Sequence, residues 1–116
     1  MQLKILNNDW SEWKKFPDPR ELEFLTAPFG EGVYDLRNKR TGENVLYGRG
    51  KNVSSRMCSL LPQPLGTGSR NNKYKRNYVF ENLTDIEYRC KATSSKKESL
   101  QIEKNLKSEN KYLFDT

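Results

Sequence analysis

The sequence predicts a small α+β fold, a three-stranded antiparallel sheet flanked by helices and preceded by an N-terminal extension. Three observations carry this. Residues 32–38 and 44–48 are rich in β-branched and aromatic side chains, and the turn between them contains Gly42. Residues 86–92 alternate Ile86, Tyr88, Cys90 and Ala92 against Glu87, Arg89 and Lys91, the period of a half-buried strand. Ser95-Lys96-Lys97-Glu98 is a capping box, and it opens a helix running to about residue 108.

At 116 residues the chain suits one domain, with residues 1–29 as an extension packed on a domain of residues 30–116. A hydrophobic fraction of 34% against a charged fraction of 31% implies a thin core. Lys+Arg 21 against Asp+Glu 15 gives a net charge of +6, and the pI is near 9.4. Such a balance favours a polyanionic partner, since Lys and Arg release counterions when they meet phosphates. A merely basic surface has the same composition, so charge becomes informative only beside a site.

The chain contains no histidine. Ser-His-Asp and Cys-His nucleophiles and imidazole general bases are therefore excluded, which leaves Tyr, carboxylates, Lys, Arg or a metal for any catalysis. Cys58 and Cys90 alone cannot make an ordinary Cys/His zinc site, and they read as reduced core residues. No apolar run has the length of a membrane span and no signal-peptide pattern opens the chain, so no membrane association and a cytoplasmic location are expected.

Within the extension, Leu3, Ile5 and Leu6 suggest a short strand. Asp9 caps a helix through Trp10 and Trp13, and Pro19 starts another through residues 21–25. Trp10, Trp13, Phe16, Phe24 and Phe29 are expected to cover one face of the sheet. After the strand pair, Asn52 caps a helix over 52–61 in which Val53, Met57, Leu60 and Leu61 form the buried stripe and Pro62 ends the run. Arg56 lies at the border of that stripe, where an arginine can reach a site or simply snorkel.

Residues 62–72 read as a loop, leading into Arg70, Lys73, Lys75 and Arg76 interleaved with Tyr74 and Tyr78. Basic residues mixed with aromatics suit a phosphate backbone, and a solvated basic loop has the same pattern. On the last helix Ser99, Ile102, Glu103 and Leu106 share one stripe. Glu103 thus faces inward, where a carboxylate needs a partner or a metal. The tail through Tyr112, Leu113 and Phe114 packs back as an extended piece.

Taken in order, these residues resemble the GIY-YIG nuclease superfamily over about residues 30–116. Gly32-Val33-Tyr34 is similar to its first motif, and Leu46-Tyr47-Gly48 stands in the place of its second. The step from Gly48 to Arg56 matches the step to the helix arginine. Residues 98–106 resemble the glutamate helix of the excision-repair incision subunit, with Glu103 at the metal-binding position, and Phe114-Asp115 falls where an aromatic and an asparagine often close the family domain. Leu46 replaces the usual tyrosine, with Tyr47 one residue late and so on the opposite face of the strand. Leu60 stands one turn after the arginine, where the family often has His or Tyr.

The resemblance implies a DNA endonuclease using Mg²⁺ or Mn²⁺, with Tyr34, Tyr47, Arg56 and Glu103 catalytic and Glu103 holding the metal. Arg49, Lys51, Arg70, Lys73, Lys75 and Arg76 would contact nucleic acid. No recognition module is apparent in the sequence, which leaves three routes to a cutting site: reading DNA shape, a protein partner, or a homodimer. The alternative is a degenerate member that binds nucleic acid or a protein without cutting.

Overall fold

The computed structural model describes residues 10–18, 21, 25–58, 60 and 73–114. The expected strand at Leu3–Leu6, the Asp9 cap, the helix through residues 21–25, the 62–72 loop with Arg70, and Asp115 lie largely or wholly outside them.

Four strands form the sheet: β1 (Lys14–Lys15), β2 (Gly32–Asn38), β3 (Asn44–Gly50) and β4 (Ile86–Ala92). Their order is β1-β4-β2-β3, antiparallel throughout. The three strands read from the sequence are all present, and β1 is an addition at the edge. Two lysines give no strand signal, because β1 forms only by borrowing a partner: Lys14 pairs with Tyr88 and Lys15 with Glu87.

The helix expected at residues 10–13 is absent. That stretch is extended along β4, where Ser11 N–H donates to the Cys90 carbonyl (2.8 Å) and Ser11 Oγ accepts from Cys90 N–H (3.0 Å). Pairing with a waiting strand edge satisfies backbone groups that an isolated turn of helix would leave open.

Between β2 and β3 the chain turns on Gly42 at φ 78°. Asn38 is fully buried there, and its Oδ1 accepts from the N–H groups of Arg40 and Thr41. An asparagine side chain that closes its own turn fixes the register of the pair. That register sets Tyr34 opposite Gly48, Leu36 opposite Leu46 and Val33 opposite Arg49.

The two faces of the sheet bury different cores. Tyr34, Leu36, Leu46, Ile86, Tyr88 and Cys90 pack on one face with Phe16 and with Val53 and Met57 of α1 (Val53–Cys58), Leu60 just beyond it, and Val79 of α2 (Lys73–Glu81). On the other face Val33 and Tyr47 meet Ile102 and Leu106 of α3 (Lys96–Glu109), with Trp10 and Tyr112 alongside. The N-terminal aromatics therefore do not share one face. Phe16 enters the first core, Trp10 joins the second, and Phe29 is 83% exposed.

Trp13 stacks on Arg37 (4.0 Å) and Arg89 (4.8 Å), and Trp10 stacks on Arg89 (4.2 Å). Beneath this stack Arg89 donates from Nε and Nη2 to Asp35 Oδ2 (3.1 and 2.9 Å), while the Tyr112 hydroxyl donates to Oδ1 (2.9 Å). Asp35 is 1% exposed, so this set of donors is what permits a carboxylate inside the sheet face.

The basic, tyrosine-containing stretch that follows the 62–72 loop, to which the sequence assigns no regular element, is a helix over Lys73–Glu81. Its inward face, Lys75, Tyr78, Val79 and Asn82, follows helical spacing, but only Val79 is aliphatic. Apolar periodicity therefore misses it. Tyr78 is held by Asn38, whose Nδ2 donates to its hydroxyl (3.1 Å). Among the described residues no helix is long and apolar enough to cross a membrane.

Candidate active site

β3 is an edge strand, so one cleft can reach both faces of the sheet along it. A cleft of about 350 Å³ does so, lined by Tyr34, Tyr47, Gly48, Arg49, Arg56, Lys75 and Glu103. The side chains arrive from five different elements. Tyr34 comes from β2, Arg49 and Tyr47 from β3, Arg56 from α1, Lys75 from α2 and Glu103 from α3.

α1 is anchored by its first turn. The N–H groups of Val53 and Ser54 donate to the carbonyls of Gly30 and Pro28 (3.1 and 2.9 Å), and Asn52 Oδ1 caps Ser55 N–H (3.2 Å). Val53 and Met57 then bury one side and leave Arg56 solvent-accessible at the cleft. Burial of Leu60 continues that stripe past the helix end.

α3 is set by Ser95 Oγ, which accepts from Glu98 N–H (3.1 Å). Glu98 in turn accepts from Ser94 N–H (2.8 Å), one residue before the position a standard capping box uses. Packing of Ser99 and Leu106 on the sheet turns the half-buried Glu103 toward the cleft.

Gly48 is required by Tyr34. A Cβ at residue 48 would lie 2.6 Å from Tyr34 Cζ and 3.0 Å from Cε1, with the hydroxyl oxygen nearer still. The phenol of Tyr34 thus lies against the backbone of β3 at Gly48, in space that only glycine leaves open. Leu46, two residues earlier on the same face, is fully buried opposite Leu36. Tyr47 points to the α3 face and stacks on Tyr112 at 4.7 Å, yet it still lines the cleft because the cleft wraps the edge.

Burial raises the Glu103 carboxyl above the ordinary range, Arg49 and Arg56 pull it down, and Glu31 adds a smaller push upward. Arg49 holds Glu31 in a two-point pair, Nε to Oε2 at 3.0 Å and Nη2 to Oε1 at 2.9 Å. That pairing keeps the Glu31 carboxyl below its usual value and the Arg49 guanidinium above its own. Glu31 is a residue that sequence reading missed. Its signal was the strand register, since an acid two positions before Val33 lies diagonally across from Arg49.

The four side chains expected to be catalytic line one cleft. Of the expected nucleic-acid contacts, Arg49 and Lys75 line it too. Lys51 is exposed and Arg76 half-buried, and neither belongs to the lining. The Lys73 side chain and Arg70 are outside the described residues. Cys58 and Cys90 are free thiols, and burial pushes that of Cys90 up to about 12.

No protein-family model matches the sequence, and no curated protein matches it. The structure is similar to a crystal structure of the GIY-YIG N-terminal endonuclease domain of UvrC from Thermotoga maritima. That protein is a tyrosine-to-phenylalanine point mutant bound to its catalytic divalent cation. The TM-score is 0.56 at 25% identity, and the match covers 78% of this chain and 88% of the other. This chain has a GIY-YIG-like fold. In it, the glycine of the second motif accommodates the tyrosine of the first, and the leucine at residue 46 belongs to the core.

Proposed function

We infer that this protein is a divalent-metal-dependent endonuclease that hydrolyses DNA phosphodiester bonds. One observation carries the reading: Tyr34, Arg56 and Glu103 converge on a single cleft from a strand and two separate helices. These three polar side chains come from elements distant in sequence, and packing alone gives no reason for them to share a cleft.

The donor set of the cleft bears on a metal. Glu103 is its one carboxylate, and among the described residues no cluster of three or more acidic, cysteine or histidine side chains exists. Mg²⁺ or Mn²⁺ fits such a site when substrate phosphate oxygens complete the shell, because Mg²⁺ is often held by one or two carboxylates. Held by Glu103, it would supply charge stabilisation at the reacting phosphate. The buried Tyr34 hydroxyl orients the attacking water and takes part in moving its proton. Arg56 donates to non-bridging oxygens and stabilises the charge that builds on them. Water adds at phosphorus, the P–O ester bond breaks, and the products are a phosphate monoester and a free hydroxyl.

Leu46 favours a second reading. It is sealed in the core with Leu36, and Leu60 is equally buried, so two polar positions of the family's site are apolar here. On that reading the cleft binds nucleic acid without cutting it.

Plasmid and branched DNA incubated with Mg²⁺ or Mn²⁺ decide between the two. Nicking by the wild type, lost in Glu103→Ala and in excess EDTA, is the expected result. Salt-sensitive binding that is equal in both proteins, with no cleavage by either, would establish the binding reading.

A further inference from the structure

We propose that Lys75 is a catalytic residue of this cleft, donating from α2 to a non-bridging oxygen of the reacting phosphodiester. The inference rests on the nuclease reading above. A basic loop would leave this lysine in solvent to follow flanking DNA, whereas the helix turns it inward. Lys75 is 9% exposed, and Val79, one turn on, is fully buried on the same helix face. Its neighbour Tyr74 is 69% exposed, so the burial belongs to this position and not to the helix as a whole.

The same side chain lines the cleft beside Tyr34, Arg56 and Glu103. Burying an ammonium costs hydration that a surface lysine keeps. A backbone passing over the outside of the protein does not reach it, and a phosphate that enters the cleft does. With Arg49 balanced by Glu31, Arg56 and Lys75 against Glu103 leave the lining a formal excess of one positive charge, which suits an anionic phosphodiester. Arg56 and Lys75 stand on different helices, so their donors approach the phosphate from two directions. Preorganised cations at the reacting group act on the transition state, and those along the flanking backbone act on affinity.

Single-turnover cleavage at saturating protein separates these roles, using wild type, Lys75→Met and the exposed control Lys97→Met. Equilibrium binding is measured in parallel, with Ca²⁺ in place of Mg²⁺ and across a range of salt. For Lys75→Met the saturated rate should fall about 100-fold or more, as for loss of a transition-state donor. Lys97→Met should cut at the wild-type rate. A Lys75→Met protein that keeps the saturated rate but binds more weakly, with a salt slope smaller by about one, would overturn the proposal in favour of a backbone contact.

If wild type binds DNA and never cuts it, the nuclease reading fails and takes this inference with it. That result is distinct from a cutting wild type whose Lys75→Met variant also cuts. Should Lys75→Met fail to fold, amine acylation of the native protein, mapped by mass spectrometry, replaces it. A bound duplex in Ca²⁺ should slow labelling of Lys75 at least about tenfold without protecting Lys97. Equal labelling with and without duplex would overturn the proposal.

Discussion

Replacing Gly48 by alanine tests the contact on which the cleft depends. The added Cβ would sit 2.6 Å from Tyr34 Cζ and 3.0 Å from Cε1, against about 3.5 Å for an ordinary carbon contact. Tyr34 is 1% exposed and packs in the main core, so its ring cannot swing aside without moving Leu36 or α1. Overpacking of this kind costs about 1–3 kcal/mol, which for a domain of this size lowers Tm by about 4–12 °C. The nearest atom to the new methyl is the Tyr34 hydroxyl. A Tyr34→Phe background therefore relieves part of the clash, and the two substitutions should couple by about 0.5 kcal/mol or more. Differential scanning calorimetry of the four proteins in the cycle measures this, with Gly30→Ala as a control, since a Cβ there meets nothing within 4 Å. A wild-type Tm for Gly48→Ala, or an undiminished loss in the Tyr34→Phe background, would refute the contact. The saturated cleavage rate of Gly48→Ala should fall with the displaced ring.

Two further outcomes follow from the ion pairs. Glu31→Gln should lower stability by about 1–2 kcal/mol at pH 7, between exposed and buried pairs. Because Arg49 lowers the folded-state pKa of Glu31 below its ordinary 4.5, this contribution is present above 4.5 and lost as pH falls through the lowered value. The Tm gap between wild type and Glu31→Gln should therefore close on acidification. Asp35→Ala strips Arg89 and Tyr112 of a shared acceptor beneath the tryptophans and should cost about 3–5 kcal/mol in urea unfolding. A loss below about 1 kcal/mol would show that water replaces the carboxylate.

Much of the fold was legible in the sequence because its signals are local. Period-two alternation at 86–92, a positive-φ glycine between two β-rich runs and a serine cap before the last helix each need only a few neighbouring residues. Features that depend on a distant partner left no such mark. β1 is two lysines whose strand character comes from Tyr88 and Glu87. α2 hides its inward face because a lysine, a tyrosine and an asparagine occupy it with one valine. Trp10 and Trp13 suggested a helix, and they instead lie over Arg89 and Arg37.

The candidate site divides in the same way. Helical spacing alone turned Glu103 inward and set Arg56 at the border of a buried stripe, and strand alternation alone sent Tyr47 to the face opposite Leu46. Spacing along one element determines direction but not distance between elements. Tertiary packing decided that Tyr47 lines the cleft despite its face, because β3 is an edge that a cleft can wrap. It also committed Arg49 to Glu31 and set Lys75, read from the sequence only as part of a basic stretch, inside the site. Charge counted along a chain has no depth, and only the folded arrangement fixes which cations are buried against a carboxylate and which remain in water.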